Sequence, residues 1–271
     1  MKELTSVNNP VVKDAADLKQ KKNRAEQNAF LVEGLRSVEE AVSYGIVQQL
    51  FVLTAAKTPD EARMQAIVGQ AAAAGADLYS VSEQVMKKIA DTETPQALTA
   101  VVTKQTSSLD ELTALGGTIL VLDRIGDPGN LGTMIRTADA AGVSGVVLLS
   151  GCTDVFAPKA VRSTMGSLLH IPVAEGVSED DFIIWAEGSG YQLLATCLEG
   201  AGNLYQTDLQ GRVAVVIGSE ASGVSDSLLA AAAKKVFIPM EGRAESLNAA
   251  VAAGVVLFEC LRQRVAGNGK L

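Results

Sequence analysis

Short apolar runs alternate with longer amphipathic segments along nearly the whole chain. Runs rich in Val, Ile and Leu predict strands, and segments with the helical repeat predict helices. In residues 1–103 the pattern predicts strands over Ala29 to Val32, Gln49 to Leu53, Ala76 to Ser80 and Leu98 to Thr103. Helices are expected over Gly34 to Tyr44, Pro59 to Ala74 and Ser82 to Ala90. Together these make a compact α/β unit. Residues 104–117, KQTSSLDELTALGG, are polar and end in two glycines, which reads as a linker. From residue 118 the alternation is cleaner. Strands are expected over Thr118 to Leu122, Val146 to Leu149, His170 to Val173, Gln192 to Thr196, Val213 to Gly218 and Val236 to Met240. Helices are expected over Gly129 to Ala141, Pro158 to Leu168, Glu179 to Glu187 and Ser225 to Ala233, and onward from Ser246. Continuous apolar strands separated by helices predict a mostly parallel sheet covered on both faces. The fold class is therefore α/β, with domains over residues 1–103 and 118–271.

Composition narrows the partners. The 271 residues carry 23 basic and 31 acidic side chains, a net charge of −8. That argues against coating nucleic acid by bulk charge but leaves local basic patches open. One such patch is Lys19, Lys21, Lys22 and Arg24, which reads either as a solvated helix end or as a phosphate-contacting group. Cys152, Cys197 and Cys260 are far apart, no CxxC occurs, and His170 is the sole histidine, so no metal site is expected. Reduced thiols suggest the cytoplasm. The start, MKELTSVNNP, has no apolar core of a secretory signal, and no apolar run reaches membrane-spanning length.

Three polar loops each follow the carboxyl end of an expected strand: Asp123 to Asn130, Gly218 to Ser225, and Glu241 to Asn248. In a parallel sheet such loops gather at one edge and can form one ligand site. With the helix turns they enter, they supply Asn130, Arg136, Glu220, Ser246 and Asn248. Familiar alternatives fit poorly. The glycines of GDPGNLG do not follow GxGxxG, no GxxxxGK[ST] occurs, and GSEASGVS does not match GxSxG.

These residues carry a resemblance. Asn130-Leu131-Gly132-Thr133-Met134-Ile135-Arg136-Thr137-Ala138 resembles the first motif of the SpoU (TrmH-type) family of RNA ribose 2′-O-methyltransferases. Val216 to Ser225, VIGSEASGVS, resembles the second, and Ile238-Pro239-Met240 through Glu245-Ser246-Leu247-Asn248-Ala249-Ala250 the third. Pro158-Lys159-Ala160-Val161-Arg162-Ser163 lies between them as in the family. Phe30-Leu31-Val32-Glu33-Gly34 and Thr94-Pro95-Gln96 resemble, more loosely, the substrate-binding domain fused to many members. Family members often have Gly where Ala97 and Ala221 stand. The resemblance implies an N-terminal RNA-binding domain, a C-terminal domain with a deep trefoil knot, S-adenosylmethionine as cofactor, and a homodimer. It implies methyl transfer to structured RNA, with ribosomal RNA favoured over transfer RNA by the type of N-terminal domain. A non-catalytic RNA-binding member is the alternative.

Roles follow residue by residue from the resemblance. Arg136 is either a surface or ion-paired arginine, or the group that fixes the RNA phosphate and stabilises alkoxide charge. A guanidinium hardly ever loses its proton, so it is not read as a simple base. Glu220 is either a carboxylate at a helix N-terminus or the group that orients Arg136 or the ribose. Asn130 caps a turn or lies near the reacting hydroxyl, Ser246 is expected to cap the last helix and also to contact substrate, and Asn248 makes a hydrogen bond, with Ser246 and Asn248 both near the ribose. The cofactor pattern falls on Thr196, Cys197, Leu198, Gly218, Ile238, Met240 and Leu247. Lys21, Lys22, Arg24, Arg162 and Arg243 are the candidate RNA contacts. No Lys or Arg lies between Arg162 and Arg212 while acids run from Glu175 to Asp208, so RNA should avoid that face. Leu247, Val251, Gly254, Phe258 and Leu261 repeat at four–three spacing, a seam for core or for a dimer.

Overall fold

A computed structural model describes residues 1–54 and 60–267. The expected start of a helix at Pro59 lies outside the described residues. In chain order, the first elements are β1 (Lys2–Leu4), α1 (Pro10–Asp17), α2 (Lys21–Gln27), β2 (Ala29–Glu33), α3 (Leu35–Ser43), β3 (Val47–Leu53), α4 (Glu61–Ala73), β4 (Asp77–Val81), α5 (Glu83–Ile89) and β5 (Leu98–Thr103). Then come α6 (Leu109–Leu115), β6 (Thr118–Asp123), α7 (Pro128–Ala140), β7 (Gly145–Leu149), α8 (Pro158–Thr164), β8 (Val173–Val177), α9 (Glu179–Ser189), β9 (Gln192–Thr196), β10 (Gly202–Asn203), β11 (Val213–Gly218), α10 (Asp226–Ala231), β12 (Lys234–Phe237) and α11 (Ala249–Gly267). Among the described residues no helix is long and apolar enough to cross a membrane.

The chain divides into two compact units, Met1–Gln105 with Asp154–Leu169, and Thr106–Thr153 with His170–Leu271. The first has a mixed sheet in the order β1-β4-β3-β5-β2, with β5 antiparallel to both of its neighbours. Its core packs Leu18, Leu31, Phe51, Tyr79, Met86 and Ile89. The segment Asp154–Leu169 was read from sequence with the C-terminal domain but belongs to this first unit. Arg24, at 4% exposure, explains part of the attachment. Its guanidinium donates to Asp154 Oδ2 at 2.6 and 3.2 Å and to the Leu18 carbonyl at 2.7 Å. Phe156 tilts against Phe30 with ring centroids 5.0 Å apart, and Lys104 Nζ sits 4.8 Å over the Phe156 ring. Arg24 is therefore a structural arginine, not a phosphate contact, because its donors are spent inside the fold.

The second unit has a seven-stranded sheet in the order β10-β12-β9-β11-β6-β7-β8, with every pairing parallel. All carboxyl ends therefore share one edge. Two departures from the sequence reading have clear causes. The expected linker contains α6, started by a capping box in which Ser108 and Glu111 satisfy each other's backbone N–H. Leu112 from that helix is fully buried in the core of the second unit, so the segment is part of that unit. The expected helix from Pro158 to Leu168 stops at Thr164, because Met165 takes left-handed φ (+53°). The strand expected at His170 begins instead at Val173.

α7 and α11 run side by side in the same direction and are laced at both ends. At one end Asn248 Nδ2 donates to Asn130 Oδ1 at 3.1 Å. At the other, Arg264 donates to the Ala141 and Gly142 carbonyls at 3.0 and 3.1 Å, closing the carboxyl end of α7 with a cation. One turn before Arg264 on α11, the buried carboxylate of Glu259 accepts from Arg262 at 2.7 and 2.8 Å and from Gln263 at 2.8 Å. These bonds hold its acid pKa below the usual carboxylate range, with the Arg262 bond the largest cause.

β11 ends on a steric constraint. A Cβ on Gly218 would lie 2.1 Å from the Gly223 carbonyl carbon and 2.2 Å from the Val224 nitrogen. The loop folds back there, with Gly223 N donating to Ser219 O at 2.9 Å. Gly218→Ala is expected to lower stability by on the order of 3 kcal/mol in chemical denaturation, since backbone has to move to admit a methyl group. Arg24→Ala is expected to cost about 3 kcal/mol in the same measurement, by stranding the half-buried Asp154 carboxylate.

Candidate active site

Three loops reach the carboxyl edge of the sheet, and hydrogen bonds join them. Asp127 caps α7 by accepting from Asn130 N at 2.7 Å, and Pro128 takes the first helical position, where its missing N–H costs nothing. That places Asn130 in the first turn with its side chain free to reach out. Asn130 Nδ2 donates to Glu220 Oε1. Asn130 Oδ1 accepts from Asn248 Nδ2, and Asn248 Oδ1 accepts from the amides of Ala250 and Val251 at 2.9 and 3.3 Å. A continuous chain of bonds thus runs from the amino end of α11 through two carboxamides to a carboxylate. Each amide uses both ends in one direction, an arrangement in which neighbouring bonds strengthen one another.

This geometry revises three readings. Asn248, not Ser246, caps the last helix, which starts at Ala249. Ser246 is an exposed loop residue. Glu220 sits in the turn after β11, well before α10 begins, so it is not a helix N-terminal carboxylate. Asn130 is not a turn cap, because Asp127 does that work. Arg136 is exposed on α7 and forms no ion pair or hydrogen bond among the described residues. Six residues beyond Asn130, it projects about 120° around the helix from it. The structure thus joins Asn130, Glu220 and Asn248 and leaves Arg136 and Ser246 outside that chain.

The expected cofactor residues also end adjacent strands. Thr196 closes β9 and pairs with Val236 of β12, and its hydroxyl donates to the Val216 carbonyl of β11 at 3.1 Å. Cys197 N donates to Val236 O at 3.0 Å. Burial pushes the Cys197 thiol up from its ordinary value, which suits a packing residue rather than a nucleophile. Beyond the strands, Leu198 is 72% exposed and Met240 37%, while Ile238 and Leu247 are half-buried. Leu198 and Met240 therefore leave apolar surface open past the ends of two adjacent strands, where a flat apolar group can be received. The loop's own backbone already demands glycine at 218.

Among the basic residues, Lys21 and Lys22 are exposed at the start of α2, with Lys22 3.7 Å from Glu26. Arg243 is exposed in the loop before α11. Arg162 is half-buried and already paired, 2.8 Å from Asp91 and 3.9 Å from Glu33. Lys87 and Lys88 of α5 add to the basic group expected at Lys19 to Arg24. Lys19 Nζ donates to the Lys88 carbonyl at 2.9 Å, bringing the end of α1 to α5. The first unit holds as many Lys and Arg as Asp and Glu, so the charge of −8 resides in the second.

Sequence reasoning also passed over Asp123 and Arg124. Asp123 is fully buried at the end of β6. Its carboxylate accepts from Arg124 Nε at 2.9 Å, from Arg124 Nη2 at 3.1 Å and from Ser225 N at 2.8 Å. Arg124 has φ +55°, a conformation that costs a residue with a side chain about 1 kcal/mol. No local spacing marks this pair, because its partners lie about a hundred residues away.

Comparison with known proteins identifies the family. A model described as the SpoU rRNA Methylase family matches residues 117–258, and one described as the MRM3-like substrate binding domain matches residues 9–100. A 23S rRNA guanosine 2′-O-methyltransferase of Bacillus subtilis, RlmP, is 36% identical over 259 residues, covering 95% of this chain and 98% of that protein. A 23S rRNA uridine 2′-O-methyltransferase of Streptomyces viridochromogenes is 32% identical, covering 90% and 86%. The crystal structure of an AdoMet-bound rRNA methyltransferase from Sinorhizobium meliloti superposes with a TM-score of 0.87 at 38% identity, covering 96% and 97%. A match through most of the methylase half, with relatives similar from end to end, leaves one conclusion: the chain belongs to the SpoU rRNA methylase family.

Proposed function

We propose that this protein methylates a ribose 2′-hydroxyl in ribosomal RNA, using S-adenosylmethionine. The observation that carries the reading is the Glu220–Asn130–Asn248 chain at the carboxyl edge of the parallel sheet, the edge at which Leu198 and Met240 also leave apolar surface exposed. Leu198, Ile238, Met240 and Leu247 would hold the adenine, with Thr196, Cys197 and Gly218 at the strand ends beneath it. When bound, the cofactor supplies an electrophilic methyl group. Asn130, itself held by Asn248, fixes one Glu220 oxygen, which leaves Oε2 to accept a hydrogen bond from the ribose hydroxyl and aim the oxygen lone pair. Arg136 binds the neighbouring phosphate and stabilises charge as the hydroxyl becomes a nucleophile. Positioning and charge placement carry the catalysis. Lys21, Lys22 and Arg243 contact RNA phosphates, and Arg162 does so only by loosening its pairs with Asp91 and Glu33.

Ribosomal RNA is favoured because the relatives named above carry that substrate in their names across most of this chain. They differ in the base, guanosine or uridine, so the base is left open. A role on ribosomal RNA fits the cytoplasm. The trefoil knot belongs to the same proposal. In its support, β12 lies beyond β9 while α11 returns to pack on α7 and β11. So does the homodimer. On α11, Val251 is 53% and Phe258 48% exposed, while Ala250, Ala253, Val256, Leu257 and Cys260 are buried. The four–three seam is therefore not core, and it shares the α7–α11 pair with Arg136.

Purified protein is expected to bind S-adenosylmethionine in calorimetry and to transfer its labelled methyl group to 23S rRNA. Absence of cofactor binding overturns the reading. Arg136→Lys is expected to lower turnover roughly a hundredfold while leaving cofactor affinity nearly unchanged, because an ammonium lacks the planar fork. Light scattering at micromolar concentration is expected to give the mass of two chains, falling to one in Phe258→Glu.

A further inference from the structure

We propose that Arg124 is a positioning residue for methyl transfer, a staple that holds the loop after β11 against the loop after β6. The inference rests on the proposed activity. Arg124 makes a fork onto both oxygens of the buried Asp123, and its Nη2 also donates to the Gly223 carbonyl at 3.3 Å. Asp123 in turn accepts from Ser225 N. Both ends of the contact fall in the segment that carries Glu220. On the other side, Asn130 follows Asp123 by seven positions, on the same loop and helix start. The two members of the Asn130–Glu220 bond are thus carried by loops that Asp123 and Arg124 tie together.

The surroundings are built for this arginine. Gly151, at φ +98°, leaves open the space where its own Cβ would come within 3.1 Å of Arg124 Cγ. Cys152 Sγ donates to the Leu122 carbonyl at 3.1 Å and accepts from Ile125 N at 3.4 Å, bracketing Arg124 from behind. Asp123, Glu179 and Asp226 all favour its charged form, with the hydrogen bond to Asp123 the largest cause of its raised pKa. Glu179 itself accepts from Ser225 Oγ at 2.9 Å and from Ser227 Oγ, so the exit of the loop is held from a third side. With Asp123, Glu179 and Asp226 near it and its donors on Asp123 and the Gly223 carbonyl, Arg124 is poorly placed to bind an RNA phosphate. A left-handed arginine persists here because it closes the loop contact.

Two substitutions separate this role from plain stability. Arg124→Gly removes the staple and also relieves the left-handed backbone, whereas Arg124→Ala removes the staple and keeps the strain. The expected result is a kcat about tenfold lower in both variants with KM for RNA within about twofold. The melting temperature should fall in both variants, because each strands the buried Asp123 carboxylate, and fall less in the glycine variant, which is freed of the left-handed strain. Amide exchange across residues 219–225 should quicken in both. Wild-type turnover and wild-type exchange in Arg124→Gly overturn the inference, as does a loss of turnover confined to the alanine variant. If the wild-type protein transfers no methyl group, the proposed activity fails instead, and the exchange rates alone decide whether the staple exists.

Discussion

The site depends on the absence of one side chain. At Gly218 the chain turns back so sharply that the next few residues occupy the volume a methyl group would need. From that turn follow the place of Glu220 at its tip, the reach of Ser225 N to Asp123, and the start of α10. Ser219 tightens the same turn through Ser222, whose amide donates to its hydroxyl at 3.2 Å. A backbone fold of this kind sets where a carboxylate stands without any contact from the carboxylate itself. Asn130, held in turn by Asn248, then fixes its direction.

The strands were legible because both faces of the sheet are covered. β5 and β11 coincide with their expected runs, since continuous Val, Ile, Leu and Ala sequences have few other ways to bury themselves. The gathering of Asn130, Glu220 and Asn248 was legible from their places after parallel strands. Their bonding order was not. Ser246 and Asn248 both carry a side chain able to cap a helix, and what separates them is a contact to Asn130, 118 positions away. Arg24 shows the same blindness in the opposite sense. Beside three lysines it reads as part of a charged surface, yet a carboxylate 130 positions on draws it inside. The Ser108–Glu111 capping box, by contrast, was local and readable. Polar composition around it outweighed the signal.

Charge is divided by use as well as by place. The acid-rich stretch from Glu175 to Asp208 was read as a face that repels RNA. One of its members, Glu179, is half-buried and instead accepts from Ser225 and Ser227. Glu259 is likewise spent inside the protein, on the last helix. Acidic residues therefore brace the second unit from within as well as colouring its surface. The balanced charge of the first unit leaves its exposed lysines less opposed when a polyanion approaches.

The segment Asp154–Leu169 is encoded inside the methylase half yet completes the fold of the first unit. The boundary visible in the sequence is therefore not a seam along which the gene can be cut. Expressing residues 1–105 alone would leave Arg24 without its carboxylate and Phe30 without the ring it leans on. Expressing the remainder would put Phe156 and an unpaired Asp154 into water. Recombination that exchanges one half for a relative's must therefore carry this helix across with the N-terminal domain, or replace both sides of the Arg24–Asp154 contact together.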